Sequence, residues 1–230
     1  MANRQTEETI IRCRNLGKDY RKGKHKISAL KNITLDIAQG EMVAAFGPSG
    51  SGKTTLLNII GQLDRPCSGE LQIFGRDSQA MCAREQARMR RKRLGFIFQN
   101  FNLLPVLSAV ENVEMALATQ PLGKRQLRDR ALEMLNRVGL VSRADHLPAE
   151  LSGGQQQRVG IARALVHKPS LVMADEPTAN LDSASAQDII GMMQKLARED
   201  HISFLFSTHD SRILSVIDRN IHLTDGEMKA

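Results

Sequence analysis

Gly47-Pro48-Ser49-Gly50-Ser51-Gly52-Lys53-Thr54 follows the apolar run Met42-Val43-Ala44-Ala45-Phe46 and opens a helical pattern from Lys53 to about Gln62. Strand, glycine-rich loop and helix in that order fit G-x-x-x-x-G-K-[ST] in the context that gives the motif its meaning. Its glycines let backbone N–H groups converge on phosphate oxygens, and the helix N-terminus adds a favourable dipole. Lys53 is expected to bridge β- and γ-phosphates, and the Thr54 hydroxyl to coordinate Mg²⁺. The whole loop, with Thr55 after it, is therefore read as a phosphate cradle.

Outward from the loop, the chain alternates strands and helices. Ile10 to Asn15 and Ile27 to Ile37 open as sheet-forming segments; Ile33, Leu35 and Ile37 alternate with polar residues, as in a half-exposed antiparallel strand. Met42 to Phe46 is apolar throughout, the pattern of a strand covered on both faces. Leu71 to Phe74 and Leu94 to Phe98 read as short strands. From Ser108 to Gly139 the pattern turns helical, broken at Pro121-Leu122-Gly123, and a further helix is expected from about Gln155 to Val166. Leu171 to Ala174 and Ile202 to Phe206 are two more buried strands, separated by a helix carrying Ile189, Met192, Met193 and Leu196. Asp225-Gly226 suits a tight turn between two last strands. The expected fold is α/β: a nucleotide-binding core of mostly parallel sheet, an antiparallel β subdomain, and an inserted helical subdomain at about 100–168. Residues 10–227 are read as one domain after a flexible start at 1–9.

Two further motifs bear on chemistry. Asp175 and Glu176 lie just beyond the carboxyl end of a buried strand, where open α/β sheets bind ligands. Asp175 is placed to hold Mg²⁺ through water, and Glu176 to polarise an attacking water as general base. Leu151-Ser152-Gly153-Gly154-Gln155 makes a second glycine-rich helix start. One chain needs only one such anion site for its own nucleotide, so the second makes sense facing the γ-phosphate of ATP bound to another copy.

Composition narrows the class. The 230 residues are 41% hydrophobic with no Trp, and no apolar run approaches the roughly 18 to 20 residues of a membrane span. The polar start, Met1 to Glu8, is neither a secretory signal nor a transit peptide, which points to the cytoplasm. Cys13, Cys67 and Cys82 have no metal-binding spacing and read as reduced thiols. Much of the net charge of +7 lies in two clusters, Arg21, Lys22, Lys24 and Lys26, and Arg84, Arg88, Arg90, Arg91, Lys92 and Arg93. Solvated surface is the plain reading of both, and attraction to acidic headgroups the alternative.

From about Ile10 to Gly226 the chain resembles the ATP-binding cassette ATPases, and more narrowly the ATP-binding subunits of the lipoprotein-release and macrolide-export group. The stretches that carry this are Gly47 to Asn58, Gly61-Gln-Leu-Asp-Arg-Pro66, Gly95-Phe-Ile-Phe-Gln-Asn-Phe-Asn-Leu-Leu-Pro105, Leu151 to Gln155 and Asp175-Glu-Pro-Thr-Ala-Asn-Leu-Asp182. The resemblance implies that Gln99 contacts Mg²⁺ and water and senses the permease, and that His209 reaches the γ-phosphate. It implies that Ala179-Asn180-Leu181-Asp182 links two active sites, with Asp182 among the nucleotide-binding residues beside Ser152, Gly153, Gly154 and Gln155. Tyr20, the only tyrosine, falls where the family has an aromatic that stacks on adenine. His25, His146, His167, His201 and His222 match nothing. Departures are mild: Thr54 stands where many relatives have Ser, Ala179 where this group commonly has Gly, and Ala174 where a bulkier residue is usual.

The resemblance implies a head-to-tail homodimer that ATP closes and hydrolysis reopens, with separate membrane permease subunits and a place on the cytoplasmic face of the membrane. The cargo is expected to be exported or released lipoprotein or lipophilic material. Phe101, Leu103, Leu104 and Pro105 are candidates for docking a permease helix. A mechanical signalling ATPase of the cell-division type is the alternative. Cassette ATPases acting on DNA or ribosomes usually insert a long coiled coil or duplicate the cassette, neither of which is present, so no nucleic-acid partner is expected.

Overall fold

The computed structural model describes residues 8–23 and 25–229. Most of the expected N-terminal tail, and Lys24 of the first basic cluster, lie outside the described residues, as does the side chain of Lys22.

Two sheets form. Strands β1 (Thr9–Lys22), β2 (His25–Ala38), β4 (Ser68–Ile73) and β5 (Arg76–Asp77) make an antiparallel sheet in the order β2-β1-β4-β5. Strands β3 (Met42–Phe46), β6 (Leu94–Ile97), β7 (Leu171–Asp175), β8 (Ser203–Ser207), β9 (Arg219–Thr224) and β10 (Glu227–Lys229) make the second, in the order β10-β9-β3-β8-β7-β6. All its neighbours run parallel except the β9–β10 hairpin. There Asp225 and Gly226 both adopt positive φ, 51° and 80°, as a tight hairpin turn demands.

The apolar runs sit where their composition requires. On β3, Met42 and Ala44 face one hydrophobic core while Val43 and Ala45 face another. On β8, Phe204 and Phe206 join the first core and stack at 5.4 Å, while Leu205 joins the second. Alternate residues thus enter opposite cores, which is why these strands carry no polar face. The second core lies between the two sheets and takes in α1 (Lys53–Ile60) through Leu56, Leu57, Ile59 and Ile60.

The first core is capped by helices. Between β6 and β7 run α3 (Ala109–Glu114), α4 (Lys124–Arg137) and α5 (Gly153–Leu165), packed on one another. The break at Pro121-Leu122-Gly123 falls between the turn Met115–Leu117 that extends α3 and the start of α4. After β7 come α6 (Ser183–Asp200) and the short α7 (Ser211–Leu214).

Two segments differ from expectation. β1 continues past Asn15 to Lys22, because register irregularities around Leu16 carry it through the left-handed Asn15 (φ 50°). The second basic cluster is a helix, α2 (Ala83–Arg93), in which only Gln86 and Met89 are buried. Arg90 donates to the Gln62 carbonyl at 2.7 Å, and the Arg93 guanidinium lies 3.7 Å over the Phe74 ring. At least two of its cations therefore serve packing.

Candidate functional site

The loop after β3 is shaped by glycine. Gly47, Gly50 and Gly52 have φ of 150°, 79° and 103°, and a Cβ on Gly47 or Gly52 would strike the carbonyl of Leu223 or Ala29. Gly52 caps α1 without any side-chain bond, so the first-turn N–H groups have no side-chain acceptor. Lys53, though buried, turns its ammonium back onto the Gly47 and Pro48 carbonyls at 2.8 and 3.0 Å. Around this loop lies a cavity of about 650 Å³, lined by Gly47 to Gly50 and Gly52 to Thr55. Ser51 is buried behind it, with a hydroxyl that meets no partner among the described residues.

Strand ends bring acids to the same cavity. Asp175, the last residue of β7, places its two carboxylate oxygens 3.1 and 3.2 Å from the Thr54 hydroxyl. Glu176 follows with φ 45°, a left-handed conformation rare for a glutamate, fixed by its N–H on the Ser207 carbonyl at 2.8 Å. Its side chain is 15% exposed and accepts from Nδ1–H of His209 at 2.9 Å. Gln99 lines the cavity just beyond β6.

An all-oxygen set of one hydroxyl, one carboxylate and one amide suits a hard cation whose remaining positions go to water and phosphate. No closed cage of His, Cys, Asp and Glu exists among the described residues. The buried Ser207 hydroxyl, also on the cavity wall, has no partner among the described residues.

Tyr20 stands at the edge rather than in the lining. It pairs with Ile27 across β1 and β2, and Ile27, Ser28 and Ala29 form the cavity wall. The residue is 39% exposed.

The glycine-rich start of α5 is elsewhere. Ser152, Gly154 and Gln155 border a separate hollow of about 190 Å³ with Gly139, Arg158 and Ser185. Ser152 and Gln155 form a reciprocal cap, Ser152 Oγ accepting from the Gln155 N–H at 3.3 Å. Gly153 lies against Asn180, Leu181 and the Phe101 ring, and Gly154 passes so close to Ser185 that a Cβ would lie 3.2 Å from its hydroxyl. Asp182 caps α6 by accepting from the Ser185 N–H at 2.9 Å, and those bonds from Ser185 hold its carboxyl below the usual range. Within one chain, then, this hollow and the phosphate cavity share no lining residue.

Hydrogen bonds run between the two regions. Gln157, in α5, donates to the Pro177 carbonyl at 2.6 Å, one residue beyond Glu176. Asn180 donates to the Gln99 carbonyl at 3.0 Å. Thr178 donates to Asp210 at 2.7 Å. Hydrogen bonds from Arg212, then from Thr178 and the Arg212 amide, outweigh partial burial and pull the Asp210 carboxyl down to about 2. Asp210, Ser207 and the Ile27–Ala29 wall carry no motif, and Thr178, though inside the stretch Asp175 to Asp182, has no role that the sequence marks.

The apolar stretch after Gln99 splits. Leu103 packs inward against the helical core, and Phe101 is half-buried, its carbonyl accepting from Arg163. Leu104 and Val106 point out, 39% and 80% exposed. The cysteines are free, and burial, helped by Asp36, pushes the Cys13 thiol up to about 12, so it stays protonated.

Residues 30–179 match the family model described as ABC transporter. The chain belongs to the ABC transporter family. It is 46% identical, over 96% of both chains, to a lipoprotein-releasing system ATP-binding protein, LolD, of Francisella tularensis subsp. holarctica. It is 44% identical to a macrolide export ATP-binding/permease protein, MacB, of Syntrophobacter fumaroxidans, covering 94% of this chain but 31% of that one. A solved dimeric post-hydrolysis state of the ATP-binding cassette MJ0796, bound to ADP and Pi, superposes with a TM-score of 0.89 at 43% identity, covering 96% of this chain and 97% of that one. The protein is an ATPase of the ABC transporter family, of the LolD and MacB type. No helix among its described residues is long and apolar enough to cross a membrane.

Proposed function

We propose that two copies of this chain close head to tail on two ATP molecules and drive a membrane permease from the cytoplasmic face. The observation that carries this is the separation of two half-furnished sites: a phosphate cavity with Lys53, Glu176 and His209, and a glycine-rich helix start at Ser152 that shares no lining with it. Facing a second copy, Ser152, Gly153, Gly154 and Gln155 would meet the γ-phosphate held by the partner's loop. The dimeric MJ0796 cassette supports this pairing by likeness.

Within each site the roles follow from position. Loop N–H groups from Gly47 to Thr55 and the Lys53 ammonium hold phosphate, the ammonium exchanging two carbonyls for phosphate oxygens. Thr54, Asp175 and Gln99 would hold Mg²⁺, which supplies charge neutralisation at the phosphates. Glu176 takes a proton from the attacking water, oriented by His209, which also reaches toward the γ-phosphate. Tyr20 stacks on adenine at the cavity edge. Residues 10–227 act as one nucleotide-binding domain with a helical subdomain at about 100–168.

The exposed Leu104 and Val106 dock a permease helix. The MacB relative is named for both ATP binding and permease, which supports a permease as the partner of this ATPase. The cargo class is lipoprotein or lipophilic material, moved outward or released, as the names of the LolD and MacB relatives suggest.

Complementation tests the shared site. Ser152→Arg and Lys53→Ala chains should each be inactive alone, and mixing them should restore hydrolysis through heterodimers holding one intact composite site. The isolated Ser152→Arg chain should still bind ATP. If it loses ATP affinity as severely as Lys53→Ala, the helix start acts within its own chain and the proposal fails.

A further inference from the structure

The stretch Gly61 to Pro66 has no role in the chemistry above, yet its geometry is closely specified. α1 ends at Ile60, and Gly61 lies so near the Phe96 ring that a Cβ would sit 2.7 Å from it. Gln62 then turns the chain with φ 59°, and the Leu63 and Asp64 N–H groups close back on the Asn58 carbonyl at 2.8 and 3.2 Å. This turn delivers the Asp64 carboxylate to β1.

There Asp64 meets three donors. Its Oδ2 accepts from the Tyr20 hydroxyl at 2.8 Å, and its Oδ1 accepts from the Lys18 ammonium at 2.6 Å and the Arg65 N–H at 2.7 Å. Lys18 is nearly buried, also donates to the Arg65 carbonyl at 2.7 Å, and lies 5.0 Å from the Tyr20 ring centre. Thr55, in the first turn of α1, borders the same phenol. Partial burial works to raise the Asp64 carboxyl, but the bonds from Lys18, Tyr20 and Arg65 outweigh it and keep it ionised.

We propose that Asp64 is a positioning residue for the base of the nucleotide: it anchors the Tyr20 hydroxyl, with Lys18 as counter-charge, so that the ring stands preformed at the cavity edge. The inference rests on Tyr20 being the aromatic that meets adenine. An exposed phenol without an anchor samples several rotamers, and binding must then order it. Ordering one such side chain weakens binding about two- to tenfold.

The test compares ATP with inorganic tripolyphosphate, which has the phosphates but no base, as ligands of the full chain carrying Asp64→Asn, Asp64→Ala, Tyr20→Phe or Tyr20→Ala. Asp64→Asn should raise the KM for ATP about two- to tenfold, hold kcat near the wild-type value, and leave tripolyphosphate affinity unchanged. Tyr20→Phe should do the same, and combining it with Asp64→Ala should add nothing further. Because the chain has one Tyr and no Trp, ultraviolet emission reports Tyr20 alone; freeing it from a carboxylate should brighten that emission in Asp64→Asn. If Asp64→Ala does not fold, Asp64→Asn carries the test. Weakened tripolyphosphate binding in Asp64→Asn would make Asp64 a general support of the loop and overturn the proposal. Unchanged KM and emission in Asp64→Asn, with Tyr20→Ala impaired for ATP only, would overturn it while sparing Tyr20's role. A Tyr20→Ala chain with normal ATP affinity would remove the adenine reading itself.

Discussion

Glu176 concentrates the demands of the site on one residue. Its left-handed backbone, its N–H on Ser207 and its carboxylate on His209 aim an acid at the cavity that holds Lys53 and Thr54. A residue held in such a conformation costs about 1–3 kcal/mol, and the cost is borne where a side chain must be aimed. Glu176→Gln keeps the shape and a carbonyl oxygen to accept from His209, but removes the proposed base. Phosphate release should fall by about 10² to 10⁴ while ATP binding persists, and size-exclusion chromatography with ATP should show a long-lived dimer. Near-normal phosphate release would take Glu176 out of the role. A sequence shows that an acid follows a buried strand; it does not show the twist that aims it.

At the scale of elements, the β6–α3 connection is held by one buried side chain. Asn112, 1% exposed, accepts from the Leu104 N–H at 2.8 Å and donates to the carbonyls of Leu104, Leu107 and Ser108. The bend it fixes turns Leu103 inward and leaves Leu104 out. Leu104→Asp should therefore leave hydrolysis by the isolated ATPase largely intact and abolish co-purification with the proposed permease; burial of a Leu is worth roughly 1.5 to 3 kcal/mol. A Leu104→Asp chain that unfolds, or that still binds its permease normally, would exclude this contact. The inward and outward sorting could not be read from Phe101-Asn-Leu-Leu104, because it depends on an asparagine eight positions beyond Leu104. Continuous apolar strands and glycine-rich helix starts were legible, since composition alone dictates their burial or their caps. α2 was not, because only Gln86 and Met89 are buried and no apolar periodicity marks it. The far half of β1 is hidden for a related reason: its bulges around Leu16 break the alternation that signals a strand.

Over the whole molecule, acid sensitivity follows from carboxyls held low in the fold. Asp210 moves from an ordinary 3.8 to about 2, so the stability it contributes is complete above about pH 4 and is lost as pH falls through about 2. Thermal melts by circular dichroism should show a smaller loss between pH 4 and pH 2 for Asp210→Asn than for the parent chain. Equal losses would mean that Asp210 gains nothing from Arg212 and Thr178. Phe204→Ala, in the core shared by sheet and helices, should cost about 3–5 kcal/mol at neutral pH, and a melt shifted by only a degree or two would contradict that burial. One feature reaches across all these parts. α1 has eight residues, a rod about 12 Å long, with Lys53 at one end and the Asp64 turn beyond the other. Such a rod behaves as a calliper whose jaws are set by residue count, not by the chemistry of either tip. One inserted residue would swing everything beyond it by about 100°, carrying Asp64 off Tyr20 while the phosphate jaw stayed in place. On the roles proposed for Tyr20 and Asp64, the chain would then grip any polyphosphate of the right charge and lose its means of telling whether a base hangs from the far end.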